Sequence, residues 1–265
     1  MFKQIQQFLS NAGLLSLPRP IDTALWQATL DQYSFLSTLP VSEQQQLRQL
    51  ASEFLGDKEF AGANGLLVTD AIAVSIAAQA CLPVLHLSLD YYADFKGIVI
   101  HPGAMLARRE AVDAAGVHHR YSQALSGEAM QGGPITLSWQ DAAPSSEQTA
   151  HGSNVVIHEF VHKIDMSDGS ANGCPPLATR AAYTEWHQLM QAAYERFRAQ
   201  LAMSQRFGQP TPWLDAYGAT SPAEFFAVTS EAYFVNRQQF TAEFADLTLL
   251  FDAFYKPVKA QVLAS

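Results

Sequence analysis

The spacing of apolar positions changes period twice along this chain. Leu47, Leu50, Ala51, Phe54 and Leu55 recur at three- and four-residue steps, which predicts a helix buried on one side, and Gly56 can stop it. Residues 70–82 are Ala-rich and apolar nearly throughout, a pattern for a core helix ended by Pro83. The period then shortens. VLHLSL (84–89), GIVIHP (97–102) and ITLSW (135–139) are short, rich in β-branched residues and bounded by Gly or Pro, so they predict three strands. Residues 140–152 are small and polar and predict a surface loop. From Asn154 onward the helical period returns, over about 154–167, 177–206, 222–237 and 241–263. Helices, then strands, then helices predict an α+β fold, mainly helical with a small mixed sheet, rather than alternating βαβ units. Scattered Pro18, Pro20 and Pro40 make the start irregular or weakly helical. The expected division is an N-terminal helical arm, residues 1–60, packed on a main unit spanning 61–265, the whole forming one compact body.

Composition narrows the function. The 265 residues are 48% hydrophobic and 15% charged, a globular balance with chain enough to bury a core. Sixteen basic residues against 25 acidic ones give a net charge of -9, and no stripe of Lys and Arg exists to follow a phosphate backbone. Nucleic acid is therefore not an expected ligand. Two cysteines, Cys81 and Cys174, form neither a CxxC pair nor a disulfide framework and read as reduced thiols. The opening MFKQIQQFLSNAGLL is amphipathic and lacks the features of a signal peptide. The most apolar run, about 71–85, is too short to span a bilayer and holds Gln79 and Pro83. A soluble, cytoplasmic protein without membrane contact is expected.

The chemistry concentrates in one segment, Asn154-Val-Val-Ile-His158-Glu159-Phe-Val-His162-Lys-Ile-Asp165. Residues four apart lie one helical turn above each other, so His158 and His162 present imidazoles to one point, the chelate geometry of zinc. Glu159, beside the first histidine, leans toward the open face of such a metal, where it can take a proton from water. The flanking Val155, Val156, Ile157, Phe160, Val161 and Ile164 make this helix apolar nearly all round and therefore buried. Two imidazoles and a carboxylate inside a buried helix need partners, and a metal supplies one.

A catalytic zinc needs a third protein ligand and leaves a position for water. Asp168 is six residues past His162, where a metzincin carries its last ligand, but Asp165 occupies the position at which that family needs Gly. Glu185, Glu224 and Glu231 all remain candidates by spacing. Ser221-Pro222-Ala223-Glu224 also reads as a capping box, in which Glu224 would only reach back to the Ser221 amide. Adjacent His118 and His119 point apart on a strand or loop, and His151 before Gly152 reads as solvated. Phe225, Phe226, Tyr233 and Phe234 have the helical spacing of core residues.

At these residues the chain resembles the Mlc titration factor A family of bacterial zinc peptidases and, more distantly, the catalytic domain of anthrax lethal factor. The resemblance rests on HEFVHKID, on Asp215-Ala-Tyr217-Gly-Ala-Thr-Ser-Pro-Ala-Glu224-Phe-Phe-Ala, and on upstream segments 54–70, 76–85, 97–105 and 127–139. It covers about residues 45–240. It implies a zincin-like fold with the HExxH helix at its centre, and residues 61–265 as the catalytic domain. It also implies one zinc ion held by His158, His162 and Glu224, the gluzincin arrangement, with Glu159 as general base and then acid. Tyr217 would hydrogen-bond the oxyanion as it forms, favouring the transition state over the ground state. The implied substrates are short peptides cleaved as by an aminopeptidase, and the implied partner is a transcriptional repressor resembling Mlc. The alternative is a non-enzymatic regulatory protein that sequesters a repressor and keeps a vestigial or structural zinc site, closed by a fourth ligand such as Glu231 or His151.

Around that centre, the strand at Pro134–Trp139 is expected to lie at a sheet edge and pair with extended substrate. Asp165 is a candidate to orient a histidine or cap its helix, Asp215 to position Tyr217, and Glu128 or Asp215 to meet a free amine. Val228 stands where lethal factor has a second acidic residue, leaving Glu231 or a backbone carbonyl to orient the histidines.

Overall fold

A computed structural model describes residues 17–112, 118–125 and 127–257, with the side chains of 105–125 outside that description. The opening amphipathic stretch and the last residues of the 241–263 helix therefore lie outside the described residues. Helices α1 (Thr23–Gln32), α2 (Ser34–Ser37) and α3 (Val41–Asp57) lead into strand β1 (Glu59–Gly62) and helix α4 (Asp70–Cys81). A 3-10 turn, Leu89–Tyr92, precedes β2 (Gly97–His101), the pair β3 (Met105–Val112) and β4 (His118–Leu125), β5 (Gly127–Ala129) and β6 (Ile135–Ser138). Then come α5 (Trp139–Ala142), α6 (Ser146–Ala150), α7 (Val155–Asp165), α8 (Arg180–Phe207), α9 (Pro222–Val235), α10 (Arg237–Glu243) and α11 (Ala245–Tyr255).

Local chemistry sets the helix boundaries. Asp22, Thr69, Asn154, Thr179 and Ser221 each accept a hydrogen bond from a first-turn amide of the helix that follows. Pro222 occupies the first turn of α9, where its missing N–H is no loss. Gly208 ends α8 at φ 65°. The long terminal helix expected over 241–263 is instead broken at Phe244 into α10 and α11.

The main sheet has the order β1-β2-β6-β5. Its first three strands are parallel and β5 runs antiparallel to β6. Helix α4 carries the chain from β1 to the parallel β2, so one βαβ crossover exists within the mixed sheet. Ile98, Ile100, Ile135 and Leu137 point to one face and are fully buried. The pair β3–β4 forms a separate antiparallel ribbon, Met105 opposite Leu125 and Val112 opposite His118.

Two strand expectations fail for physical reasons. Residues 84–89 are not a strand. After Pro83 the chain tightens into turns in which Val84, Leu85 and Leu87 donate to the carbonyls of Cys81, Leu82 and Val84, so its amides are satisfied locally. Ser88 then caps the 3-10 turn. Strand Ile135–Ser138 exists but is not an edge, since β2 pairs on one side and β5 on the other. Residues 140–152, expected as a loop, contain α6 and the end of α5, capped by Ser145 and Ser138.

Helix α7, which carries His158 and His162, runs through the middle. Val156, Ile157, Phe160, Val161 and Ile164 are all fully buried, as the all-round apolar pattern predicts. Phe160 meets Phe54 of α3, Tyr92 and Phe95 at ring separations of 5.5, 4.9 and 6.0 Å. Beyond α9, Trp186 of α8 packs edge-on to Phe226 and stacks on Phe251 of α11. Among the described residues no helix is long and apolar enough to cross a membrane.

Candidate metal centre

Three side chains from two packed helices converge. His158 and His162 stand one turn apart on α7, and Glu224 lies in the first turn of α9. His158 Nε2 is 3.0 Å and His162 Nε2 3.1 Å from the same Glu224 oxygen, Oε2, and the two nitrogens are 3.1 Å apart. Ligands on a tetrahedral zinc with bonds of about 2.0–2.1 Å stand about 3.3 Å from one another. The observed triangle is close to one face of that tetrahedron. A proton can bridge one pair of these atoms, whereas a cation at the centre satisfies all three lone pairs together. The donor set therefore fits a divalent metal, and it is the one group of three or more metal-ligating side chains found among the described residues.

The neighbours orient the donors. Glu231, two turns past Glu224 on α9, sits 2.6 Å from His158 Nδ1 and accepts its proton, which leaves Nε2 facing the cluster. Its second oxygen accepts from the Asn154 amide at 2.5 Å. Asn154 in turn caps α7 through Oδ1, so its Nδ2 is free to donate to Gln79 of α4 at 2.7 Å. Burial is the largest influence on His158 and lowers its pKa, but the Glu231 charge and the hydrogen bonds to Glu224 and Glu231 outweigh it, and the pKa stands well above the usual imidazole value. Burial also works to raise Glu224, yet hydrogen bonds and charge from the two histidines hold it below the usual carboxylate range. Glu159 is 5% exposed, and burial pushes its pKa up against the pull of His158 and His162.

These groups open on a cavity of about 490 Å³. Gly127, Glu128 and Ala129 of β5 line one side, and Asp215 and Tyr217 another. The Tyr217 ring centroid is 6.0 Å from that of His158. Asp215 accepts from the Tyr217 amide at 2.8 Å and so shapes the 3-10 turn Ala216–Ala219 that carries the tyrosine. That turn packs closely on α9 at Gly218, where an added Cβ would meet Val228 at a tight 3.2 Å. Val228, one turn after Glu224, thus packs under the tyrosine turn, and Glu231 takes the place beside His158.

The capping box is half realised: Ser221 Oγ accepts from the Glu224 amide at 3.2 Å, while the Glu224 carboxylate faces the histidines. Glu185 is exposed on α8, Asp168 is exposed after α7, and His151 is exposed and bonded to the Glu147 carbonyl; none joins the cluster. Asp165 orients no histidine through a described hydrogen bond. Both its oxygens accept backbone amides, from Gly173 at 2.8 Å and Cys174 at 3.1 Å, and hold the loop after α7. His118 and His119 lie on β4, and their side chains fall outside the description. Phe225, Phe226 and Tyr233 are core residues.

Sequence reasoning missed the edge strand. The last strand of the sheet is β5, only three residues long, and a Cβ at Gly127 would fall on the Glu159 carboxylate. The available signal was Gly127 itself, a residue without a side chain where the backbone must come close.

The fold and the His-His-Glu cluster define a chain of the metallopeptidase class. Residues 11–256 match the family described as glucose-regulated metallo-peptidase M90, and the chain belongs to that family. It is similar to Mlc titration factor A of Serratia proteamaculans (strain 568), with 35% identity over 240 residues, 90% of this chain and 89% of that one. Mlc titration factor A of Cronobacter sakazakii is 35% identical over 231 residues, 87% of this chain and 84% of that one. An uncharacterized protein of Synechocystis is 35% identical over 216 residues, 81% of this chain and 77% of that one.

Proposed function

We propose that the chain is a zinc-dependent peptidase of the gluzincin type that removes residues from the amino ends of short peptides. The observation that carries this reading is the meeting of His158 Nε2, His162 Nε2 and Glu224 Oε2 within 3.0–3.1 Å of one another, with Glu159 alongside, at the floor of a cavity. Zinc bound there would supply a Lewis acid that lowers the pKa of water and polarises a peptide carbonyl. Glu159 takes the proton of the attacking water and passes it to the leaving amine. Burial suits it to both tasks, because a carboxyl with a raised pKa holds a proton more readily between the two steps. The Tyr217 phenol donates to the oxyanion as charge develops there, where a neutral donor gains most. Glu231 keeps His158 in the tautomer that binds metal.

Substrate enters as an extended chain alongside β5, the strand at the open side of the sheet, whose three residues line the cavity. Glu128, Asp141 and Asp215 line the same cavity and, among the described residues, no Lys or Arg does, a field that favours a protonated amino terminus. The test is hydrolysis of unblocked and N-acetylated peptides by protein with measured zinc content. Zinc-dependent cleavage of the unblocked peptides, lost in Glu159→Gln with the metal retained, supports the reading. Cleavage that persists in that variant, or a stoichiometric metal other than zinc, overturns it.

A second reading concerns partners. Relatives covering most of the chain are named Mlc titration factor A, and we extend that name to a repressor resembling Mlc as a protein ligand of this chain. Repressor capture by the Glu159→Gln protein would separate this role from catalysis, and a lack of capture by wild-type protein would remove it.

A further inference from the structure

The helix that carries the histidines also carries a buried lysine, and that lysine holds the strand on which the proposed peptide binding depends. Lys163 follows His162 directly, and its side chain is completely buried. An ammonium has three N–H donors, and all three are matched: Met130 O at 2.6 Å, Gly133 O at 3.0 Å and Asp94 Oδ2 at 3.1 Å. The Phe95 ring centroid lies 4.4 Å from the same nitrogen. Burying a lone cation is costly, so a lysine placed here needs this complete set of partners.

Two of its acceptors, Met130 and Gly133, lie in the turn that joins β5 to β6. The Gly133 amide closes that turn onto Met130 O at 3.0 Å, and Gly132 adopts a positive φ of 62°. The turn is held from outside as well: Asp94 Oδ2 accepts from the Gly132 amide at 3.0 Å, and Gln131 donates to the Gly169 carbonyl at 2.7 Å. Strand β5 is three residues long and, among the described residues, pairs on one side only, with Leu137, Thr136 and Ile135 opposite Gly127, Glu128 and Ala129. So short a strand has few ladder bonds of its own to fix its position. At its far end, Gly127 abuts the Glu159 carboxylate. Helix α7 therefore meets this hairpin twice, through Glu159 at Gly127 and one turn later through Lys163 at Met130 and Gly133.

We propose that Lys163 is a positioning residue: by clamping the β5–β6 turn it sets the distance and register of the edge strand relative to Glu159, and so governs the binding of extended peptides longer than one residue past the scissile bond. The inference rests on the hydrolase reading above. A single-residue amide reaches the metal centre without pairing along β5, whereas a longer peptide needs the strand in place. Displacing the strand raises KM for the longer substrate and leaves the short one nearly unchanged.

The experiment compares wild type, Lys163→Met and Asp94→Ala, each zinc-loaded with its metal content measured, on a single-residue chromogenic amide and an unblocked alanine pentapeptide. Asp94 is on an exposed loop, so its variant tests the clamp even where Lys163→Met fails to fold. The expected result is a KM for the pentapeptide raised about tenfold in Lys163→Met. About threefold is expected in Asp94→Ala, with kcat and the single-residue kinetics within about twofold of wild type. Equal losses on both substrates, or no change in Asp94→Ala together with none in any folded Lys163→Met, overturn the inference. A wild-type protein that cleaves neither substrate removes the hydrolase reading and this inference with it.

Discussion

Two sets of polar groups meet at helix α7, and they are resolved in opposite ways. Lys163 and Asp165 have every strong contact supplied by the protein: three acceptors surround the ammonium, and two backbone amides meet the carboxylate. His158, His162 and Glu224 instead point their acceptor atoms at one another, three lone pairs sharing one small space. A satisfied buried group holds the fold in place, whereas a convergence of lone pairs asks for a cation from outside. The contrast separates structural from functional polarity within one eleven-residue helix, where residue type alone would not.

Breaking the catalytic side of that contrast should have the largest effect. Glu159→Gln removes the proposed proton carrier without touching His158, His162 or Glu224, and kcat should fall by about 10³-fold with zinc stoichiometry intact, as turnover and metal analysis of one preparation would show. Glu224→Ala removes one of the three donors. Zinc should then be lost on dialysis against a weak chelator that leaves wild type loaded, and Glu185→Ala, an exposed change on α8, should keep it. A Glu224→Ala protein that holds zinc while Glu185→Ala loses it would move the centre elsewhere.

Glu231 tests the boundary between the two sets, because it bonds His158 without joining the His158, His162 and Glu224 cluster. Glu231→Gln should weaken zinc binding by about 10–100-fold in competition with a chelator, since the His158 tautomer is no longer enforced. The pH dependence follows from the same pair. Protons and metal compete for His158 Nε2, and this imidazole holds its proton to a higher pH than usual, so apparent zinc affinity should fall as pH drops through and above the ordinary imidazole range. In Glu231→Gln that fall should move to lower pH. An unshifted profile would mean that Glu231 does not control the proton on His158.

The smallest effect on chemistry is expected on the satisfied side. Asp165→Ala should cost about 2–4 kcal/mol in urea unfolding, since two buried amides lose a charged acceptor, while zinc content per folded chain stays at wild-type level. Loss of metal in that variant with stability unchanged would erase the distinction drawn between the two sets.

The sequence by itself determined the elements whose signal is local. The i, i+4 pair His158 and His162, the Asn154 cap, the Ser221-Pro222 start of α9 and the all-round apolar character of α7 are set by residues within one or two turns, and the structure keeps each of them. Local signals also misled. The alternating VLHLSL run looks like a strand, but i→i+3 hydrogen bonds around Pro83 satisfy the amides of Val84, Leu85 and Leu87 locally. Spacing left Glu185 and Glu224 open and the family resemblance implied Glu224; the tertiary structure brings Glu224 rather than Glu185 to the histidines, because spacing cannot say which helix packs against α7. It also set Glu231 on His158 and put Val228 beneath Gly218, across 73 and 10 residues of chain. The edge strand was beyond local reading as well. Three residues carry too short a pattern to detect, and β5 pairs with β6 while Lys163 donates to Met130 O and Gly133 O in the turn between them, contacts that arise only once the chain has folded.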